Sequence, residues 1–238
     1  MVITRMQDFV LAVSIALAAS AAAPAAVQDP PRQQPAPVEK LGPGLFRVGK
    51  LRVDTEKREV TAQGWVNENV PVIEFFANAL NGMKAYESAI TLDTDAINFN
   101  VALVLIGLDR ANAKPPKHHF DPAPVSGDQV SISVEYTGPK GLERGPVEKL
   151  LFDKQLNAGV KPGAWVYTGS TFYPDGRFAA DVEGVLIGFA HTSTSVIESA
   201  EGIGLGRYGT IIPHPGVPPG TKLTLRIKAF SGADTQKK

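Results

Sequence analysis

Cysteine is missing from the whole 238-residue chain. Its absence excludes disulfides, thiolate-bound zinc, cysteine-ligated iron–sulfur clusters and the lipid-bearing cysteine of a lipoprotein. A surplus of either charge is missing as well: Lys and Arg number 24, Asp and Glu 24. Removing residues 1–26 takes away one of each, Arg5 and Asp8, so a processed chain stays balanced. Without a basic excess to attract phosphate backbones, no nucleic-acid partner is expected. Also lacking are an internal repeat and a phosphate-binding loop. Gly202-x-Gly204-x-Gly206 has no apolar strand before it and no helix or Lys-Ser pair after it, so it reads as a glycine loop. Histidine is scarce, four in all. His118 and His119 are adjacent, and neighbours on an extended chain point apart. With Pro115, Pro116, Pro122 and Pro124 around them, they read as a solvated loop. His191 and His214 have no histidine partner at ligand spacing. No metal and no cofactor are expected.

What is present is a hydrophobic content of 43%, enough for one substantial core. Residues 1–26 read as a secretory signal: Arg5 is the basic start, Phe9–Ala19 the apolar stretch, and Ala18–Ala23 the small residues before cleavage. Left uncleaved, the segment would be an anchor, which needs ~20 apolar residues; Pro24 ends the run near that limit. The expected location is the periplasm or the extracellular space. Residues 27–43 carry Pro30, Pro31, Pro35, Pro37 and Pro43 and read as an extended spacer. Residues 44–230 read as one domain and 231–238 as a polar tail.

Within the domain, Leu51 and Val53 alternate with Arg52 and Asp54. Val60, Ala62, Gly64 and Val66 alternate with Glu59, Thr61, Gln63 and Trp65, so a hairpin through Thr55–Arg58 is predicted. Val72–Leu80 is apolar on both faces apart from Glu74 and Asn78. Asn81-Gly82 then signals a tight turn into a partner strand, Lys84–Leu92. Asp93 or Thr94 caps a helix from about Asp95 to Ile106, with Ile97, Val101, Val104, Leu105 and Leu108 as its apolar stripe and Gly107 at its end. Gln129–Tyr136 and Leu223–Ala229 alternate cleanly as half-buried strands. Pro146 opens a short helix through Leu151. Trp165–Phe172, Arg177–Asp181 and Gly184–Ala190 read as further strands. The fold class expected is α+β: a single domain, mainly an antiparallel sheet, with one long helix and one short helix.

LRVDTEKREV, GWVN, IEFFANALNGMKAYES, a helix ending in LIGL, WVYTGS, FAADVEG and PPGTKLTLRI together resemble the YdjY-like domain family. The resemblance spans roughly Leu51–Ile227. It implies an exported or periplasm-facing bacterial protein of a family without an assigned function. Its most specific pieces are G-x-K-x-Y-E-S at Gly82–Ser88 and W-V-Y-T-G-S at Trp165–Ser170. A ferredoxin-like label on some members implies an iron–sulfur cluster, for which this chain has no cysteine.

Candidate ligand-binding residues are Lys84, Tyr86, Glu87 and Ser88 in the first motif, Trp165, Thr168 and Ser170 in the second, and Asp181 and Glu183 beyond them. On a strand, Lys84, Tyr86 and Ser88 share a face and Glu87 takes the other. Lys84 and Ser88 are then ~13 Å apart, too far for a nucleophile and its base. Asp181 and Glu183, at i and i+2 on a strand, would face the same way, as acid–base work or a hard cation requires. Structural roles in fixing register, or a solvated face, suit the same residues. No catalytic residue is assigned.

The expectation is a non-catalytic exported module that binds an envelope protein or a small-molecule ligand. The membrane is a partner only through an uncleaved N-terminal segment. A cavity lined by Trp65, Trp165 and Tyr86 beside Lys84 would favour it; the same residues scattered through a closed core would count against it. The alternative is a hydrolase using Ser88 or Ser170 with Lys84 or His191. That needs a hydroxyl within ~3 Å of a base and an oxyanion donor nearby. A purely architectural domain would show no concave polar pocket.

Overall fold

The computed structural model describes residues 34–230, apart from 69 and 140. The expected signal at 1–26, the first part of the expected spacer (27–33) and the expected tail (231–238) lie outside the described residues. In chain order the elements are β1 (Val38–Gly42), β2 (Leu45–Val48), β3 (Leu51–Asp54), β4 (Glu59–Val66), β5 (Phe75–Ala79), β6 (Ser88–Leu92), α1 (Ala96–Leu105), β7 (Asp128–Gly138), β8 (Gly141–Pro146), β9 (Leu151–Asp153), β10 (Ala158–Gly159), β11 (Trp165–Tyr167), α2 (Ala179–Glu183), β12 (Val185–Gly188), β13 (Ile197–Ser199), β14 (Ile211–Pro213) and β15 (Lys222–Ala229).

Two-residue alternation builds the best-formed part. Val60, Ala62 and Val66 of β4, Leu223, Leu225 and Ile227 of β15, and Val130, Ile132 and Val134 of β7 are all buried in one core. Each Val, Leu or Ile removed from water contributes about 1.5–3 kcal/mol. β15 lies between β4 and β7, antiparallel to both. From β7 the pairing runs on through β11, β13, β12, β5 and β6. β6 then returns to β4, with Gly64 opposite Leu92 and Val66 opposite Ile90. These eight strands close into a barrel. Two of its pairings are parallel, β12 with β13 and β5 with β6. The strands β1, β2 and β3 extend the sheet beyond β4 as a meander, and β8 pairs with the far end of β7. A small second sheet orders β10, β9 and β14.

The expected α+β fold, a mainly antiparallel sheet with one long and one short helix, is therefore corrected. The described chain is mostly β, a closed eight-stranded barrel with two short helices. One reason lies at Asn81-Gly82. Asn81 takes φ +60°, but Gly82 is needed for close backbone contact with Gly184, where either Cβ would collide with the other chain segment. Instead of reversing into a hairpin, residues 80–87 run back alongside β5, and β6 starts parallel to it. A second reason is Arg177–Asp181, predicted as strand: Ala179–Glu183 forms α2 instead, ending at Gly184 with φ +75°. A third is that β4 divides its edge, its first half pairing with β3 and its second with β6.

Other elements fall near their predicted places. Helix α1 is capped by Asp95, whose side chain accepts from the Asn98 amide at 2.8 Å. Gly107 at φ +87° follows its end. Its buried face is Ala96, Asn98, Phe99, Ala102 and Leu103, rotated from the expected stripe so that Val104 is exposed. The short helix predicted from Pro146 is a single 3-10 segment, Val147–Leu150. Within the expected spacer, residues 38–42 form β1, paired with β2.

Candidate functional site

Lys84 and Glu87 lie in the 3-10 segment Ala85–Glu87 and its cap, not on a strand. Side chains three apart eclipse in such a turn, which brings Lys84 Nζ to 2.7 Å from Glu87 Oε1. The turn runs back along β5, and the Glu74 amide donates to the Glu87 carbonyl at 2.9 Å. Glu74, at the entrance to β5, thus stands beside a second carboxylate. Burial pushes its carboxyl pKa up, and the Glu87 charge adds to the shift. The Glu87 carboxylate raises Lys84 in turn. His119 Nε2 sits 3.4 Å from Glu74 Oε2. Burial, followed by the Lys84 charge, lowers the His119 imidazole. Glu74 and His119 therefore both shift toward their uncharged forms.

Rings continue this cluster into a strip. Lys84 Nζ lies 5.8 Å from the ring centres of both Tyr86 and Phe75. Phe75 stacks on His119 at 5.9 Å, His119 on Phe120 at 3.8 Å, and Phe120 meets Tyr208 at 4.2 Å. Phe120 takes φ +61°, a conformation rare for a bulky side chain. Its amide is held by the His191 carbonyl, and the Asp121 carboxylate closes the loop on the Lys117 and Ala123 amides. At the ends of the strip Tyr86 is 62% exposed and Tyr208 57%, with Met83 at 65% in the same turn as Lys84.

The remaining candidates separate from this strip or sit at its margin. Ser88 is buried and its hydroxyl donates to the Lys84 carbonyl at 2.7 Å. Thr168 and Ser170 are buried and donate to the Ser195 and Thr194 carbonyls. Trp165 is a core residue whose indole N–H donates to Glu148 Oε1 at 2.8 Å. Asp181 accepts from the Ala96 and Ile97 amides at the start of α1; burial pushes its pKa to about 6. On α2, Asp181 and Glu183 do not share the face that a strand would have given them. Glu183 accepts from the Tyr173 hydroxyl at 2.8 Å and lies close enough for its charge to act on His119. Asn67, Asn78 and Thr91 form a separate buried network, with Thr91 Oγ1 at 2.6 Å from Asn67 Oδ1.

Trp65, Trp165 and Tyr86 do not meet. Trp65 lies on the outer side of β4 under Lys222 Nζ at 4.7 Å, Trp165 is in the core, and Tyr86 is at the surface. This counts against a ligand cavity of that composition and moves the binding question to the surface. The hydrolase alternative fails its first condition at Ser88 and Ser170, whose hydroxyls donate to carbonyls and not to a base. Both His191 ring nitrogens are turned to carbonyl oxygens, Asp121 at 2.6 Å and Ser199 at 3.0 Å. Among the described residues, no group of three or more His, Cys, Asp or Glu side chains is placed to hold a metal.

Phe75, His119, Phe120, Tyr173 and Tyr208 were not among the residues singled out for binding. Phe75 could have been noticed as the neighbour of Glu74 in a strand that is apolar on both faces. No spacing rule brings residues 119 and 208 to residue 84.

No curated protein matches the chain, and no solved structure does. A protein-family model described as the YdjY domain matches residues 51–202, more than half of the chain and including Glu74, Lys84, Tyr86, Glu87 and His119. The chain belongs to the YdjY domain family.

Proposed function

We propose that this protein is an exported, non-catalytic module that binds another envelope protein through the strip running from Tyr86 to Tyr208. One observation carries the reading. Two tyrosines and a methionine, all more than half exposed, flank a half-buried group of Glu74, Lys84, Glu87 and His119. Tyrosine and methionine are enriched at the centres of protein interfaces, where large rings contribute area at little entropic cost. The paired charges beneath them would fix orientation more than affinity. Support for export comes from residues 1–26, with their basic start, apolar stretch and small-residue end, and from a thiol-free composition.

The test is site-specific photo-crosslinking in cells that export the chain. A photoreactive phenylalanine derivative would replace Tyr86 or Tyr208, with Lys228 on the outer face of β15 as control. Discrete adducts from positions 86 and 208 but not 228 are expected. The same adducts from all three positions, or none from the first two, would overturn the reading.

A further inference from the structure

A concave feature lies away from the strip, where the end of β4 meets β14 and the loop before β15. It is a cleft of about 660 Å³, within the roughly 300–1,000 Å³ range of small-molecule sites. Its walls include Val70, Ile212, Pro213 and Val217, and four of its eleven lining residues are proline. Proline fixes φ, and the loop is also tied at both ends. The His214 amide donates to the Leu150 carbonyl at 2.8 Å, and the Gly220 amide to the Val66 carbonyl at 2.8 Å. A wall of this kind is already shaped, so binding costs little ordering entropy.

The polar groups of the cleft are of one kind. Asn67 contributes to the lining, but its amide is committed to the Ala85 and Ser88 carbonyls, Asn78 and Thr91. Among the described residues that line the cleft, none is Asp or Glu. Lys154 is exposed, and its ammonium has no partner among the described residues. His214 Nδ1 accepts the Gly216 amide at 3.0 Å. An amide can donate only to an unprotonated ring nitrogen, so the imidazole hydrogen is on Nε2, another donor. The site thus combines apolar walls with a cation and an N–H, and its described lining residues include no side-chain carboxylate to oppose an anion.

We infer that this cleft binds an amphipathic carboxylate, an aliphatic chain ending in an anionic head, with Lys154 and His214 at the head and the proline-rich walls along the chain. Charge complementarity selects the head, since charge-assisted hydrogen bonds from Lys or His to a carboxylate are about twice as strong as neutral ones. The inference does not depend on the aromatic strip.

The experiment is displacement of a dansyl-labelled undecanoate from the purified full chain by dodecanoate or dodecanol, both below micelle-forming concentration. Dodecanoate is expected to displace the probe at least about ten-fold better than dodecanol, a difference of about 1.4 kcal/mol. Lys154→Glu, at an exposed position that does not threaten folding, should weaken dodecanoate by at least the same factor and leave dodecanol unchanged. Val217→Trp should block both. Failure of the folded wild-type chain to bind the probe would overturn the assignment. So would equal competition by the alcohol, or unchanged dodecanoate binding in folded Lys154→Glu.

Discussion

Glu198 is the residue whose surroundings constrain its chemistry most. It sits in β13 with no exposed surface. Oε1 accepts from the Thr192 amide at 2.9 Å and the Ser195 hydroxyl at 2.6 Å, while Oε2 has no partner among the described residues. Gly188 opposite leaves it room, because a Cβ there would collide with Oε1. Burial pushes this carboxyl from 4.5 to about 8, so at neutral pH it holds its proton. The folded state then binds a proton that the unfolded chain has released between about pH 4.5 and 8. Stability from this group is complete at low pH and is lost as pH rises through that window. Glu198→Gln preserves shape and removes the titration. Urea unfolding at pH 5, 7 and 9 should show the wild type losing a few kcal/mol that the variant keeps, at about 1.4 kcal/mol per unit of displacement. Asp181, raised to about 6, adds the lower part of the slope in both proteins. Parallel stability curves would sink this account.

At the scale of elements, the seam between β4 and β6 decides the architecture. Gly64 lies opposite Leu92 there, and a Cβ on it would run into the Thr91 carbonyl. Gly64→Ala should therefore destabilise the protein by about 1–3 kcal/mol, as overpacking does. Gly163→Ala, where nothing stands within 4 Å of the added carbon, should be neutral or slightly stabilising by up to about 1 kcal/mol. Equal urea midpoints for the two variants would mean the seam is not tight.

The same seam explains what could be read from the chain alone. The alternation of Val60–Val66, Val130–Tyr136 and Leu223–Ala229 is local and gave three barrel strands with their buried faces. Gly107 marked the end of α1 for the same local reason, whereas its cap was read at Asp93 or Thr94 and lies at Asp95. Closure is not local: nothing in Gly64 distinguishes a strand glycine beside solvent from one beside the Thr91 backbone. Gly82 likewise carried a hairpin signal, although its missing Cβ serves contact with Gly184. Because those residues were assigned to a strand, Lys84 and Glu87 were placed on opposite faces, whereas a 3-10 turn pairs them. The candidate site was legible as Lys84, Tyr86 and Glu87, with Glu74 visible nearby. Its other half came from loops at residues 119 and 208, brought in by tertiary packing.

At the scale of the molecule, the family match and the folding unit differ in extent. The match ends at residue 202, whereas β15, residues 222–229, occupies the centre of the sheet between β4 and β7. A fragment of residues 51–202 would leave one edge of each neighbour unpaired and the core without Leu223, Leu225 and Ile227. It should show no cooperative thermal transition by circular dichroism; a sharp transition from the monomeric fragment would contradict this.

That position of β15 also sets the order in which the protein can be completed. Arg226 meets Glu59 across 167 residues of chain, a separation that slows folding because loop closure precedes any reward. A nascent chain must hold the facing edges of β4 and β7 open until residues 222–229 have been synthesised. Unpaired edges invite pairing with other chains. The finished barrel has closed those two edges, so their exposure to aggregation falls in the interval before β15 arrives.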